Sequence, residues 1–304
     1  RDLVRSRGLG DVYKRQNGSY DRKINSIYKE SERMKLNVTS KIVIMSDCHR
    51  GTGRWNDNFA GNEQITFAAL GYYYRKGFTY IELGDGDELW ENKNYDNIIN
   101  RYGEIFWLMS KFYKEGRLKM IYGNHDIVKR NKKFTDKHLD KYYCIREKRF
   151  VPMLEDIEVK QSYVLEDTVN DRDIFLLHGH QGSFINDKCW RLGRWLVRNI
   201  WSPLELVGFN NPNTPPADNY KKARKNEKLE KWADYHRITT IAGHTHRPSY
   251  PENGSYYYNS GSLIHPRCIT AIEIERGRIM LVKWCVSPDE CNRLMVCREI
   301  LVEN

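Results

Sequence analysis

At 304 residues, the chain is long enough to bury a full core as one large domain or two small ones. A hydrophobic content of 40% excludes a disordered chain, and no apolar run reaches membrane-spanning length. The net charge of +10 suits an anionic partner, although taken alone it is more often the mark of an ordinary soluble basic protein.

The seven cysteines are odd in number and form no Cys-x-x-Cys pair, which points to free thiols in a reducing compartment, and hence to the cytoplasm. Cys285, Cys291 and Cys297 recur every six residues, a spacing foreign to zinc knuckles. The N-terminus lacks a signal-peptide apolar region. Residues 1–16 have no initiator Met and resemble translated library-adaptor sequence, so they are expected not to be native.

In chain order, residues 17–40 are polar and read as a lead-in. Lys41-Ile-Val-Ile-Met45 reads as a buried strand and runs into Ser46-Asp47-Cys48-His49-Arg50-Gly51. A helix is expected over about 63–76, then a strand over 78–83 running into Gly84-Asp85-Gly86-Asp87-Glu88. Helical spacing covers 95–115 and stops at Gly116. A third strand, 118–122, ends in Gly123-Asn124-His125-Asp126. Two further strands, 173–177 and 238–242, run into His178-Gly179-His180 and Gly243-His244-Thr245-His246.

Between these last two lies a Trp-rich segment, 184–209, then a Pro/Asn break, then a basic helical pattern over 220–235. It is expected to form a helical insertion or lid over 184–236, across the strand ends. The tail from Tyr256 reads as short strands with turns at Gly261 and Gly277. The expected fold is α/β, a two-sheet core with helices outside. It divides into a lead-in, 1–40, and one domain, 41–304, that carries the insertion.

The strand-end residues carry the chemistry. Ligands bind at the C-terminal ends of strands in open α/β sheets. Asp47, His49, Asp85, Asn124, His125, His178, His244 and His246 all follow an apolar run and a tight turn. Oxygen donors mixed with imidazoles suit transition metals better than Ca²⁺, which takes oxygen alone. Asp-x-His and His-x-His place two donors on one side of an extended segment.

The ordered set Asp-x-His-x-Gly, Gly-Asp-x-x-Glu, Gly-Asn-His-Asp, His-Gly-His and Gly-His-Thr-His resembles the calcineurin-like metallophosphoesterase superfamily. That resemblance implies a four-layer sandwich of two mixed sheets flanked by helices, with a two-metal centre. It implies that Asp47, His49 and His246 hold one ion and Asn124, His178 and His244 the other, with Asp85 bridging. His125, paired with Asp126, would be the general acid or a phosphate-orienting group. The cofactor expected is two divalent ions, with Mn²⁺ ahead of Fe and Zn²⁺. The activity expected is hydrolysis of a phosphomonoester, phosphodiester or pyrophosphate by metal-bound hydroxide.

Gly84-Asp-Gly-Asp-Glu88-Leu-Trp90 also resembles the UDP-2,3-diacylglucosamine pyrophosphatases, which have a helical insertion for acyl chains but Arg where this chain has His125. The expected substrate is phosphorylated, and this second resemblance implies a nucleotide or lipid link. Arg50, Arg54, Trp190 and Trp195 are candidate substrate contacts. Asn259-Ser-Gly-Ser262 and His265 are read as support for the metal site, and Glu88 and Trp90 as support and packing. Two rival readings are a nuclease of the same superfamily and a non-catalytic scaffold. No nucleic-acid module is visible, and every ligand position is filled. Peripheral membrane contact is compatible with the charge.

Overall fold

The computed structural model describes residues 18–144, 147–182, 190–201, 226–251 and 254–303. Strands whose residues are apolar without interruption belong between two layers, since both faces must be covered. Lys41–Met45 is such a strand: Ile42 and Ile44 face one layer, Val43 and Met45 the other, and all four are buried.

The strands are β1 (Glu32–Leu36), β2 (Lys41–Met45), β3 (Thr79–Leu83), β4 (Leu118–Ile121), β5 (Lys141–Cys144), β6 (Arg149–Pro152), β7 (Val159–Lys160) and β8 (Ser162–Asp167). They continue as β9 (Arg172–Leu177), β10 (Thr239–Ala242), β11 (Pro248–Ser249), β12 (Tyr257–Ser260), β13 (Cys268–Glu275), β14 (Arg278–Pro288) and β15 (Leu294–Glu303). The helices are α1 over residues 18–30, α2 (Glu63–Arg75), α3 (Tyr95–Arg101), α4 (Gly103–Lys114), α5 (Lys132–Leu139), α6 (Trp190–Leu196) and α7 (Glu227–His236).

A seven-stranded sheet has the order β15-β14-β13-β2-β3-β4-β7, and a six-stranded sheet has β1-β8-β9-β10-β12-β11. Both are mixed: β2, β3, β4 and β7 are parallel in the first, and β9, β10 and β12 in the second. Ile42, Ile44, Ile81, Leu83 and Ile121 of one sheet pack on Leu165, Ile174, Leu176 and Ile241 of the other. The outer face of the larger sheet is covered by α2, α3 and α4 through Leu70, Tyr73, Ile98, Phe106 and Phe112. The outer face of the smaller sheet is covered by α1 and α7 through Ile24, Ile27, Leu229 and Trp232. The result is the expected four-layer α/β sandwich. Among the described residues no helix is long and apolar enough to cross a membrane.

Three expectations change. Residues 18–40 are part of the fold rather than a lead-in. β1 pairs with β8 in parallel, and Leu36 is fully buried. The segment reads as polar because α1 lies on an outer face and buries only a narrow stripe. The helix expected over 95–115 is two helices, broken at Tyr102, which leaves helical geometry (φ −111°, ψ 33°). The break lets Tyr102 pack edge-on to Phe59 and donate its hydroxyl to Asp57 at 2.6 Å. The basic helix expected over 220–235 appears as α7 from Glu227 onward. Much of the expected lid, 184–189 and 202–225, lies outside the described residues, as does the Trp190 side chain.

Candidate metal centre

The C-terminal ends of β2, β3, β4, β9 and β10 lie together, and backbone bonds stitch the turns that follow them. Asp47 N donates to Gly84 O at 3.0 Å, His49 N to Asp85 O at 2.9 Å and Gly243 N to His178 O at 2.9 Å. Side chains join the two sheets: His244 N donates to Asp47 Oδ2 at 2.9 Å, and His178 Nδ1 to Leu83 O at 2.9 Å.

Asp47, His49, Asp85, His244 and His246 all have φ between 47° and 68°, the left-handed region that non-glycine residues seldom occupy. Each such residue costs on the order of 1–3 kcal/mol and persists only where the surroundings enforce it. Here the turn folds each donor back over its strand end. Gly123 allows the close approach of β3 and β4, because a Cβ there would lie 2.1 Å from Asp85 Oδ1.

The donors converge. His246 Nε2 lies 3.1 Å from Asp47 Oδ1 and 3.2 Å from His49 Nε2. His178 Nε2 lies 3.1 Å from Asp85 Oδ2 and 3.9 Å from Asp47 Oδ1. His49 Nε2 lies 3.8 Å from both Asp47 Oδ1 and Asp85 Oδ2. Among the described residues, two of the four compact groups able to hold a metal ion are built from these donors: Asp47, His49 and His246, and Asp85, His178 and His244. Asn124 is buried in the turn beside Asp85, whose Oδ1 accepts from the next residue's backbone N–H at 2.7 Å.

Asp47 Oδ1, Asp85 Oδ2, Asn124 Oδ1 and His178 Nε2 are buried without a hydrogen bond. Unpaired buried polar atoms are rare in folded proteins and costly. The carbonyl of Leu83 can only accept, so Nδ1 of His178 carries the proton and Nε2 offers its lone pair inward. Asp47 Oδ1, Asp85 Oδ2 and His178 Nε2 lie close together, and this mixed oxygen and nitrogen set fits divalent transition-metal ions.

The charges of these groups depend strongly on one another. Burial pushes the Asp47 carboxyl up, but His246 and His178 overcome it and hold it far below the usual range. Asp85 is likewise pushed up by burial and brought well below normal by His178 and His125. Burial lowers His178, yet Asp85 and Asp47 outweigh it and raise its pKa to about 9. His244, buried beside His178, is pushed down to about 3.

The surroundings of His125 correct the sequence reading. Its Nδ1 lies 2.8 Å from Glu88, not against Asp126. Its ring stacks on Trp90 at a centroid distance of 4.4 Å, and Trp90 Nε1 donates to Asn124 O at 2.7 Å. The other Glu88 oxygen lies 2.8 Å from His49 Nδ1, so one carboxylate holds both imidazoles. Asp126 instead accepts from Gly123 N at 2.7 Å and Gly86 N at 3.1 Å, and pairs with Lys129 at 2.8 Å. Adjacent residues in a tight turn diverge, so sequence neighbourhood was a poor guide to pairing.

Arg50 also departs from expectation as a substrate contact. It is buried, and its guanidinium is taken by Glu82 at 2.8 and 3.0 Å and Asp87 at 2.7 Å. With Lys129 it offsets most of the charge of Glu82, Asp87 and Asp126 and ties the three metal-site turns of the larger sheet together. Lys129 carried no sequence signal, since a lone lysine reads as surface. Arg54 and Trp195 are exposed. Arg198, two residues past α6, donates to Leu89 O at 2.9 Å and Trp90 O at 3.1 Å, which docks this segment on the Glu88 turn. The expected supporting loop is in place. Asn259 Nδ2 donates to Gly243 O at 2.7 Å, and His265 Nε2 donates to His246 O at 2.6 Å.

Comparison with known proteins adds the following. Among solved structures, the chain is similar to Vps29 from Chaetomium thermophilum, with 10% identity over 87% of this chain and 96% of that one and a TM-score of 0.40. It is also similar to a cold-active protein-tyrosine phosphatase from a psychrophilic Shewanella, with 14% identity over 89% of this chain and 83% of that one and a TM-score of 0.42. No curated protein sequence matches it. The sequence profile of calcineurin-like phosphoesterases matches residues 40–248, the span that holds every strand-end donor described above. With two mixed sheets whose strand ends gather Asp and His side chains, the chain belongs to the calcineurin-like phosphoesterase family.

Proposed function

We propose that this chain is a dinuclear-metal phosphoesterase, cleaving a phosphomonoester, phosphodiester or pyrophosphate bond. The observation that carries this reading is the set of four buried, unbonded donor atoms on Asp47, Asp85, Asn124 and His178, with His125 beside them. Asp47, His49 and His246 would hold one ion and Asn124, His178 and His244 the other, with Asp85 between. Two bound divalent ions supply positive charge for the phosphoryl oxygens and acidify water.

The protein supplies the rest. Glu88 and Trp90 fix the orientation of His125, so that the imidazolium form, with Nδ1–H on Glu88, would donate its Nε2 proton to the leaving oxygen. Glu88 also fixes the His49 tautomer, with Nδ1 donating and Nε2 facing the site. The cluster of Arg50, Lys129 and three carboxylates keeps the turns from shifting. The substrate proposed is phosphorylated and carries an apolar or nucleotide part that meets the segment bearing Trp195. Mn²⁺ is the ion proposed first.

The test is hydrolysis of bis(p-nitrophenyl) phosphate and of a nucleotide-pyrophosphate panel with Mn²⁺, Fe²⁺ or Zn²⁺. Asp85→Asn is expected to lower turnover by about a thousandfold, the scale of a lost electrostatic stabiliser, with the circular dichroism unchanged. Full turnover by Asp85→Asn, or no turnover by the wild type with any of these ions, overturns the reading. Cleavage confined to DNA or RNA would assign the centre to a nuclease instead.

A further inference from the structure

The six-residue spacing of Cys285, Cys291 and Cys297 has a structural meaning that the metal centre does not use. β14 and β15 form a hairpin whose turn contains Cys291, midway between the other two. Folding at that turn sets Cys285 directly opposite Cys297 in the strand register. On the other side of β14, Cys285 is opposite Cys268 of β13. Three thiols thus form a row across adjacent strands, on the face opposite Trp284.

Directly opposed residues of antiparallel strands have Cα atoms about 4.5–5.5 Å apart, inside the range of roughly 4.4–6.8 Å that a disulfide spans. Their Cβ atoms, about 4.5–5.5 Å apart, must close by up to about 1 Å. β15 is the edge strand of its sheet and has that freedom on its outer side, whereas β13 is held by β2 and β14. Between the two pairings the row allows, Cys285 with Cys297 is therefore favoured.

The polar neighbours divide the roles. The Ser287 hydroxyl donates to Cys297 Sγ at 3.1 Å and the Cys297 thiol donates to Met295 O at 3.8 Å, which hold that sulfur in place. Cys297 is half-buried and reachable, while Cys285 is 9% exposed. The Cys285 thiol donates to Glu299 Oε1 at 3.5 Å, so a carboxylate stands ready to take its proton. Burial and that carboxylate keep Cys285 protonated until it is used, since they raise its pKa above the ordinary thiol value.

We propose that Cys297 and Cys285 are a peroxide-oxidised thiol pair. The Cys297 thiolate attacks one oxygen of a hydroperoxide; a sulfur–oxygen bond forms, the oxygen–oxygen bond breaks, and the leaving oxygen is protonated. Cys285 then passes its proton to Glu299 and attacks the Cys297 sulfur. The disulfide forms, the sulfur–oxygen bond breaks, and hydroxide departs as water. With hydrogen peroxide, two thiols and one peroxide give one disulfide and two waters, a two-electron exchange in which Cys291 takes no part.

The test is incubation of the full chain with hydrogen peroxide, followed by intact mass and peptide mapping. The expected product is a monomer lighter by two hydrogens, with the Cys285 and Cys297 peptides linked and released by dithiothreitol. Cys291→Ser is expected to leave this product unchanged. Ser287→Ala is expected to slow it about tenfold, the effect of losing one hydrogen bond that positions the sulfur. A Cys268–Cys285 link, a dimer joined through Cys291, or only irreversible oxygen adducts on the wild-type chain overturns the proposal. Wild-type mapping decides the pairing independently of whether any variant folds.

Discussion

Glu88 shows how far a single residue's role depends on what folds against it. In sequence it is the last letter of Gly-Asp-x-x-Glu, with an unremarkable supporting role. In the structure it holds His49 and His125 at 2.8 Å each. Such a carboxylate sets which ring nitrogen carries the proton, and so which one faces the site. Glu88→Gln keeps the shape but removes the charge, and with it the preference for a proton on both Nδ1 atoms. The expected result is a fall in kcat of about ten- to a hundredfold with the circular dichroism unchanged, read by steady-state kinetics. The ligand positions themselves were legible, because each is a donor just after an apolar run. The partner of His125 was not, because the sequence offers Asp126 next door and does not show that its carboxylate is spent on Gly86, Gly123 and Lys129.

Among elements, strands were read best where they are buried on both faces. β2, β3, β4, β9 and β10 lie within a residue or so of their expected bounds, because apolar runs of four or five residues have no other place in a layered fold. α1 and β1 were missed for the converse reason: an outer-layer helix and an edge strand need few apolar residues. Leu36 nevertheless ends β1 fully buried between the sheets. Leu36→Ala should therefore destabilise the fold by about 2–5 kcal/mol, as for other core truncations, measured by urea denaturation. A change within about 0.5 kcal/mol, typical of surface sites, would mean that β1 is dispensable.

At the scale of the whole molecule, the strand ends concentrate charge in the interior, and stability must follow pH. Burial raises the Asp87 carboxyl, but Arg50 and Lys129 outweigh it and hold it below the usual range. Glu88 is likewise raised by burial and brought low by His125 and His49. Carboxyls with depressed folded-state pKa values stabilise the protein above their unfolded values, about 3.9 for Asp and 4.3 for Glu. That stabilisation is lost as pH falls below those values towards the folded ones. Asp126, raised by burial, opposes the trend, but Asp47 and Asp85 reinforce it. The urea midpoint is expected to fall steeply below about pH 4, and less steeply in Asp87→Asn, whose neutral amide cannot take up that proton.

The order of apolar runs, turns and donors along the chain determined, without reference to any contact, that this is a layered α/β protein with a donor set at its strand ends. Local periodicity and residue chemistry carry that information over a few residues at a time. Only the tertiary structure decided which donors meet, that Arg50 and Lys129 are interior counter-charges, that Glu88 partners His125, and that Cys285 faces Cys297. Those pairings join residues far apart in the chain or on opposite sides of a turn, and their energy depends on distance and burial, which exist only once the sheets have packed.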